Sequence, residues 1–219
     1  HHMSNFVLIK GEKFTTPVAK FQYPKLVEPD TKFHPEGMYE VIAVMDASDP
    51  EAIRLAEDLD KFLEQHKASL KAQAPATKFK LTDLPWRFEE IDGMPALILK
   101  AKSKASGVDR DGKSWARKPA LFDAKGNPVT DRYAVAGLWS GTTGKVAFQA
   151  SPFYTPVIGA GVTLRLQAVQ IINLVESGGS GSAHGFGEEK GWTPKGATTT
   201  EPAAVPWDAE PIAADEADF

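Results

Sequence analysis

The sequence contains no cysteine and few histidines. The absence of cysteine excludes disulfides, thiol nucleophiles and thiolate metal sites, and it fits a reducing compartment. Apart from the histidines at the N-terminus, only His34, His66 and His184 remain, far apart and without the close spacing of zinc ligands. We therefore predict no metal site and no cofactor.

Long apolar runs are also missing. No segment approaches the roughly 18 consecutive apolar residues of a membrane-spanning helix, and no basic-then-apolar leader is present, so no membrane association is expected. His1, His2 and Met3 resemble the remnant of an expression tag, so residues 1–5 are treated as a tag remnant and disordered start. Residues 6–176 are predicted to form one domain.

Charge is unevenly distributed along the chain. Residues 201–219 contain six acidic residues and no basic one, which leaves 23 acidic against 25 basic residues in residues 1–200. Residues 100–118 alone carry seven basic side chains and two acidic ones. A basic stretch in the body and an acidic end are strong indications of the partners that the chain binds.

Hydrophobic patterning stops at Glu176. The stretch SGGSGSAHGFGEEKGW is rich in glycine and serine, as in flexible linkers, and the remainder is mainly proline, alanine, threonine and acidic residues. Few apolar residues are left to bury. We therefore predict that residues 177–219 are a disordered linker and acidic tail, which ends in the aromatic Phe219.

A single long helix is predicted in the first half of the chain. Asp49 is a favourable N-cap, Pro50 suits the first helical position, and Pro75 stops the helix after about Ala72. Apolar residues recur at the helical period on one face: Ala52, Leu55, Ala56, Leu59, Phe62, Leu63, His66 and Leu70.

The other patterned segments predict strands. FTTPVAKFQYPKLV (14–27) predicts a bent strand or two short ones, and GMYEVIAVM predicts a strand over 37–45. Further strand patterns occur in ALILKAKSKA, SWARKPALFD, GKVAFQASPF and GVTLRLQAVQIINLV. About five or six strands and one helix indicate an all-β fold, a closed or nearly closed antiparallel barrel with a long helix packed on it.

GVDRDGKS, residues 107–114, fits the Walker A pattern of phosphate-binding loops. A working phosphate loop leads directly into a helix, but here WARKPALFD follows, with Pro119 and no helical period. Asp109 and Asp111 would also repel phosphates. DRDG is typical of tight hairpin turns. We therefore predict a β-hairpin and no enzymatic activity; an NTP-binding enzyme is the disfavoured alternative.

The two arms of this hairpin are expected to carry all the basic residues of this region, which form a candidate nucleic-acid site. Lys100, Lys102 and Lys104 alternate, so they share one face of a strand, and Trp115 stands among further basic residues. Proteins hold single strands without reading sequence by combining cations for phosphates with aromatic rings for bases. The predicted phosphate contacts are Lys100, Lys102, Lys104, Arg110, Lys113, Arg117 and Lys118. A solvated strand face that protects a sheet edge is the alternative interpretation.

Three other aromatic pairs allow either packing or stacking. SPFYTP places Phe153 and Tyr154 in a loop between two prolines, where both roles are equally open. Phe21 and Tyr23 are expected on one face of the first strand, with the same ambiguity. In LPWRFEE, Trp86 and Phe88 share a face for which core packing is favoured. The candidate stacking residues are Trp115, Phe153, Tyr154 and Tyr23.

The body and tail together resemble the single-stranded DNA-binding proteins of T7-type bacteriophages. The resemblance rests on GMYEVIAVMDASDP before the helix, FDAKGNPV in a later hairpin, SPFYTPVIGAGVTLRLQAV in the closing strands, and an acidic end that closes on Asp218-Phe219. It implies an oligonucleotide-binding (OB) barrel, and a stacking aromatic at Phe153 or Tyr154. One departure is expected, because the helix of OB barrels usually follows the third strand and here follows two.

The resemblance also implies partners. These are single-stranded DNA and replication proteins of phage or host, namely DNA polymerase and helicase–primase, in the cytoplasm of the infected bacterium. The tail residues expected to contact them, and to compete with DNA for the basic groove, are Asp215, Glu216, Asp218 and Phe219. A homodimer is left open. The alternative functions are an RNA-binding barrel, or a module that acts through its tail alone.

Overall fold

A computed structural model describes residues 5–176, so the linker and tail predicted for 177–219 lie outside the described residues. The described residues form one α-helix, α1 (Pro50–Gln73), and a 3₁₀ turn at Arg132–Val135. Their strands are β1 (Glu12–Thr15), β2 (Ala19–Asp30), β3 (Met38–Asp46), β4 (Trp86–Ile91), β5 (Met94–Lys104), β6 (Ser106–Val108), β7 (Ser114–Ala116), β8 (Ala120–Phe122), β9 (Thr143–Thr155) and β10 (Gly159–Asn173).

Five of these strands close into a barrel. The ring runs β9–β2–β3–β5–β10 and returns to β9. Every neighbouring pair is antiparallel except β5 and β10, which are parallel. This order is that of a five-stranded Greek-key barrel of the OB type. The predicted fold class is confirmed, although residues 5–176 contain ten strands rather than five or six. The short strands β1, β4 and β8 pair with strands of the ring, and β6 and β7 form a separate two-stranded sheet.

Helix α1 begins and ends as its sequence predicts. The Asp49 side chain accepts a hydrogen bond from the backbone N–H of Glu51, and Pro50 stands at the first helical turn. The eight residues predicted on its apolar face are all buried. The helix lies between the second and third barrel strands, since β1 pairs with β9 outside the ring and only β2 and β3 precede it. The expected departure from the usual OB order is therefore present.

The inner faces of the barrel strands and the apolar face of α1 share one core. Phe21, Leu59 and Phe148 are fully buried within it. Trp86 of β4 is also buried, and its indole Nε1 donates to Oδ1 of Asp60 on the helix at 3.0 Å. The predicted packing role of Trp86 is confirmed. That of Phe88 is wrong: its side chain is 55% exposed, because β4 lies at the edge of the sheet.

Strand β2 bends where the sequence suggested a bend. The register against β3 shifts between the Gln22 and Lys25 pairs, and Tyr23 has a positive φ of 49°. A bulge of this kind turns the following side chain out of the strict alternation of a strand. Phe21 therefore lies inside the barrel while Tyr23 packs on its outer face. The prediction that these two residues share a face is wrong.

Candidate nucleic-acid interface

The predicted lysines of β5 lie on the outer face of the barrel. Leu97, Leu99 and Ala101 point into the core, and Lys100, Lys102 and Lys104 alternate with them. Lys102 and Lys104 are exposed, and the antiparallel register pairs them with residues 40 and 38 of β3. The predicted shared face is present. The second and third strands of an OB barrel form the face that commonly holds oligonucleotides.

Lys100 differs from its two neighbours because it is ion-paired. Its Nζ lies 3.7 Å from Oε2 of Glu40 on the adjacent strand, and both side chains are partly buried. Glu40 is also the register partner of Lys102. One carboxylate thus reduces the positive potential at the centre of the outer face, and the exposed positive charge shifts towards Lys104.

The GVDRDGKS segment is a β-hairpin, as predicted. Strands β6 and β7 pair antiparallel, with Gly107 opposite Trp115. Asp109 shapes the turn: its Oδ1 accepts hydrogen bonds from the backbone N–H groups of Asp111 and Lys113, each at 2.9 Å. Gly112 takes the left-handed conformation at φ 81°. The segment after the hairpin is not helical, so the structure of a Walker A loop is absent here.

The hairpin separates the predicted basic residues into two groups. Residues 100–104 belong to the barrel strand β5, whereas Arg110 and Lys113 lie at the exposed tip of the small β6–β7 sheet. The expectation that all of them lie on the arms of one hairpin is wrong, because the chain leaves the barrel sheet after Lys104. The hairpin stays close to the β2–β3 connection: the Ser106 hydroxyl donates to the Glu36 carbonyl at 2.8 Å.

Trp115 already has two close neighbours. Its ring lies against Gly107 on the paired strand, where a side chain would collide with the ring. The guanidinium of Arg117 lies over the ring, 4.4 Å from its centroid. This cation–π contact holds the planar guanidinium in place and covers part of the indole surface. The Arg117 plane is therefore the part of this pair that is presented at the surface, where Arg117 is exposed.

Tyr23 lies on a small apolar patch outside the barrel. The patch consists of Ile42, Ala96 and Ile98, with Tyr23 and Val44 packed against it. The backbone N–H of Tyr23 donates to the hydroxyl of Ser140 at 2.9 Å, which fixes the strained backbone of this residue. Its side chain is half-buried. An aromatic ring that is supported from below, on the same outer face as a row of lysines, can serve as a stacking platform.

Phe153 and Tyr154 lie on strand β9 rather than in a loop. The expectation of a loop is wrong because β9 and β10 pair as far as Thr155 opposite Gly159, so Pro152 and Pro156 do not interrupt the ladder. The two rings take opposite sides. Tyr154 packs edge-on against Phe6 and Phe79, with centroid distances of 5.2 and 5.3 Å. Phe153 is half-buried and lies against Gly161 and Thr82.

His66 joins helix α1 to this end of β9. It is fully buried, and its Nε2 lies 2.9 Å from the carbonyl oxygen of Phe153. Burial lowers the pKa of the imidazole, and the hydrogen bond to the carbonyl opposes this only in part. The neutral tautomer with hydrogen on Nε2 donates to Phe153. Histidine therefore acts here as a structural donor at neutral pH.

Sequence reasoning missed two cations that lie next to the predicted ones. Arg165 of β10 is the register partner of Lys102, and Lys13 of β1 pairs with Gln149, which in turn pairs with Arg165. Register partners point to the same side of a sheet. The alternation in VTLRLQ places Arg165 on an outer face, but only the register brings it beside Lys102.

Two classes of site are not found in the part of the chain that the structure describes. Within residues 5–176, no group of three or more His, Asp or Glu side chains is arranged to hold a metal ion. The same residues contain no helix that is long and apolar enough to cross a membrane.

A closed five-stranded barrel with a basic, aromatic-bearing outer face defines a protein of the oligonucleotide-binding class. The profile of one family, described as single-stranded DNA-binding protein of bacteriophage T7, matches residues 14–174. The chain belongs to this family of phage single-stranded DNA-binding proteins. A comparison with curated proteins gives no match.

Solved structures agree with this assignment. The chain is similar to gp2.5, a single-stranded DNA-binding protein encoded by bacteriophage T7, with 25% identity, a TM-score of 0.64, and coverage of 75% of this chain and 93% of gp2.5. It also shares its fold with the single-stranded DNA-binding protein of bacteriophage Enc34 in complex with ssDNA. There the identity is 14%, the TM-score 0.51, and the coverage 78% of this chain and 97% of that one.

Proposed function

We propose that this phage protein coats single-stranded DNA by laying the strand across the outer face of β3 and β5. The observation that carries the proposal is the exposed pair Lys102 and Lys104 on the face that OB barrels use, the same outer face on which the ring of Tyr23 is supported. Phosphates meet the lysines, and a base stacks on the tyrosine. Neither contact depends on base identity, so binding is independent of sequence.

The candidate stacking residues differ in the contacts that their rings already make within the protein. Phe153 is the proposed second stacking residue, because it lies on the side of β9 opposite to Tyr154, whose ring already packs against Phe6 and Phe79. Each base that stacks on a ring contributes about 1–3 kcal/mol. Trp115 acts indirectly in this proposal, by holding Arg117 in place.

The remaining predicted cations extend the binding surface. Arg110 and Lys113 at the tip of the β6–β7 hairpin flank the β3–β5 face and attract the backbone as it leaves that face. Lys100 contributes less, because Glu40 neutralises part of its charge. Affinity then falls as salt rises, with a slope set by the number of phosphates contacted.

The mechanism is passive and needs no catalysis. A protein that binds the single-stranded form and not the hairpin form favours the former by its difference in affinity and by no more. Coating therefore melts hairpins by mass action and presents an extended strand to replication and recombination enzymes. This takes place in the cytoplasm of the infected bacterium, where the phage genome is copied.

The acidic tail has two proposed roles. Asp215, Glu216 and Asp218 compete with DNA for the basic face, and Phe219 docks into replication proteins, DNA polymerase and helicase–primase, with the acids steering the encounter. The support is the opposite sign of charge on the tail and on residues 100–118. A homodimer that exchanges tails between subunits is consistent with the same charges.

Fluorescence anisotropy with a labelled dT oligomer across a salt series tests the proposal. The samples are the full chain, a chain ending at Glu176, and Lys102→Gln/Lys104→Gln. Salt-sensitive binding that tightens on truncation and weakens in the double variant supports both the face and the competing tail. Binding that is unchanged by truncation leaves the tail only its partner role. No binding by any sample at low salt refutes the proposal.

Two competition arms address the alternative functions. Unlabelled poly(U) should displace the dT oligomer less well than poly(dT) does, and equal or better competition would favour an RNA-binding barrel. ATP should leave the anisotropy and the protein's own fluorescence unchanged. An ATP effect that disappears in Lys113→Ala would instead support the nucleotide-binding alternative.

A further inference from the structure

A basic pocket lies beside the β3–β5 face, where β5 and β10 diverge. Its volume is about 280 Å³, and it is open to solvent on one side. Strands β1, β5 and β10 and the segment between β7 and β8 contribute its walls, which are formed by Lys13, Ser103, Arg117, Lys118, Pro119, Arg165, Leu166 and Gln167. We refer to this cavity as the 165 pocket.

The 165 pocket concentrates positive charge without a counter-charge. Four of its eight lining residues are basic, and none is acidic or aromatic. Among the described residues, no carboxylate forms an ion pair with any of those four cations, whereas Lys100 nearby has Glu40. Like charges held this close repel one another in the free protein, and a bound anion relieves that repulsion.

One of the basic side chains is held in place from behind, and the backbone beside a second is fixed. The Arg117 guanidinium lies over the Trp115 ring. The backbone N–H of Arg117 donates to the backbone carbonyl of Ala105 at 2.9 Å. The Pro119 carbonyl accepts a hydrogen bond from the Arg132 guanidinium at 2.7 Å, which fixes the backbone next to Lys118. Cations that are already positioned lose less conformational entropy when they bind an anion.

The pocket continues the proposed DNA face across the sheet. Lys102, Arg165, Gln149 and Lys13 form one row of register partners on four neighbouring strands, β5, β10, β9 and β1. With about 4.8 Å between strands, the row is about 14 Å long. A single DNA strand that lies on Lys102 and Lys104 and crosses the barrel in this direction therefore meets Arg165 on the neighbouring β-strand.

We infer that the 165 pocket binds a backbone phosphate of the single strand and turns the path of the DNA from β5 across β10 towards β1. This inference rests on the proposed function. The pocket offers cations and no ring, so it holds a phosphate without stacking a base. Guanidinium groups from Arg117 and Arg165 can each donate two hydrogen bonds to phosphate oxygens, and the lysines contribute as point charges.

The test compares the salt dependence of dT-oligomer binding in matched variants of the full chain. The pocket variant is Lys118→Gln/Arg165→Gln, and its control is Lys61→Gln/Arg54→Gln, which removes the same charges from the exposed side of α1. Loss of one phosphate contact should lower the slope of log affinity against log salt by about 0.7 in the pocket variant. The control should keep the wild-type slope, and all variants should unfold at the same temperature.

The outcomes separate this inference from the proposed function. A wild-type slope in the pocket variant, together with a reduced slope in Lys102→Gln/Lys104→Gln, overturns the pocket and keeps the face. A wild-type slope in both the pocket variant and Lys102→Gln/Lys104→Gln, or no binding by the wild type at low salt, overturns both. Equal loss in the pocket variant and the control shows a non-specific charge effect and also overturns the pocket.

A second arm asks whether the pocket holds a phosphate of the strand or a free phosphate. Amide NMR signals of residues 117–119 and 165–167 are followed as an unphosphorylated dT oligomer or inorganic phosphate is added. Shifts with the oligomer at concentrations where inorganic phosphate has no effect support the inference. Shifts with inorganic phosphate alone would make the pocket a free-anion site and overturn it.

Discussion

The Nε2 atom of His66 lies 2.9 Å from the backbone carbonyl oxygen of Phe153, and this contact ties the middle of helix α1 to the end of strand β9. The same strand residue carries one of the proposed stacking rings. The outward position of Phe153 is thus supported through its backbone by a buried side chain of the helix. The other imidazole nitrogen, Nδ1, is buried and has no hydrogen-bond partner among the described residues.

This contact predicts a pH dependence of stability. Burial lowers the pKa of His66 below its ordinary value of 6.5, so the unfolded chain binds a proton before the folded chain does. The free energy of unfolding should therefore be constant above that value and fall as pH drops below it, by at most about 1.4 kcal/mol per pH unit. Urea denaturation of the wild type between pH 7.5 and 5 measures the change.

His66→Gln is the matched variant, because glutamine can still donate to the Phe153 carbonyl but does not titrate. Its stability should be lower than that of the wild type at pH 7.5 and nearly flat down to pH 5. His34→Gln, at a half-buried histidine in the β2–β3 connection, should behave like the wild type. If His66→Gln loses as much stability between pH 7.5 and 5 as the wild type does, another group is responsible.

Removal of the Glu40 carboxylate should tighten DNA binding. Glu40 holds Lys100 at 3.7 Å and lies opposite Lys102, so its charge opposes a phosphate on the outer face. Glu40→Gln should raise the affinity for a dT oligomer about two- to fivefold at low salt, which corresponds to roughly 0.5–1 kcal/mol for a partly exposed pair. Anisotropy titrations at two salt concentrations measure the effect, which should shrink at the higher one.

Glu64→Gln is the control for this prediction. Glu64 is also ion-paired, with Lys67 at 3.1 Å, but on the surface of helix α1. Glu64→Gln should leave the affinity for the dT oligomer unchanged. An equal gain from both variants would mean that total charge matters and that the position of Glu40 does not.

Alanine variants of Phe153 and Tyr154 should have different effects, one on DNA binding and the other on stability. Phe153→Ala should weaken dT binding by about 1–3 kcal/mol, because one base loses its ring. Tyr154→Ala removes a ring packed against Phe6 and Phe79, so it should cost on the order of 3 kcal/mol of folding free energy. Anisotropy and urea denaturation of both variants give the two readouts.

If Tyr154→Ala weakens binding and Phe153→Ala lowers stability instead, stacking belongs to Tyr154. Gly161→Ala offers an independent check, since a Cβ there would collide with Thr82 and lie 2.5 Å from the ring atom Cζ of Phe153. This variant should displace the ring and weaken binding in the wild-type background, but have no further effect in the Phe153→Ala background. Additive losses would show that Gly161→Ala weakens binding by a route other than displacement of the Phe153 ring.

Local pattern predicted the helix and the hairpin well, because both depend on neighbours in sequence. The eight buried residues of α1 follow from their spacing, and the turn at Asp109 follows from its own side chain. Long-range register is different. Lys13 and Arg165 reach one pocket because three pairings connect β1, β9, β10 and β5, and nothing local specifies those pairings.

The aromatic residues show the same limit in a second way. Strict alternation placed Phe21 and Tyr23 together, but a one-residue irregularity in β2 separates them. For Phe153 and Tyr154, the prolines indicated a loop, while the strength of the β9–β10 pairing decided for a strand. In each case the backbone hydrogen bonds to another strand outweighed the local preference.

Gly144 should be the least replaceable glycine of the barrel seam. It pairs with Ala19 of β2 and with Ile171 of β10, so it lies where the ring closes. A Cβ at this position would overlap the carbonyl oxygen of Gln170 and lie 2.9 Å from Cζ of Phe21. Backbone atoms held by two strand pairings cannot move aside without loss of hydrogen bonds, so Gly144→Ala should destabilise the fold by about 3 kcal/mol.

Gly93→Ala separates steric overlap from backbone strain. Gly93 has a φ of 79°, and no described atom lies within 4 Å of the position that a Cβ would occupy, so alanine there costs only the left-handed conformation, about 1 kcal/mol. Thermal and urea denaturation should therefore show that Gly144→Ala is much less stable than Gly93→Ala. Equal losses would mean that the seam between β9 and β10 relaxes freely, and that closure of the ring depends on contacts elsewhere.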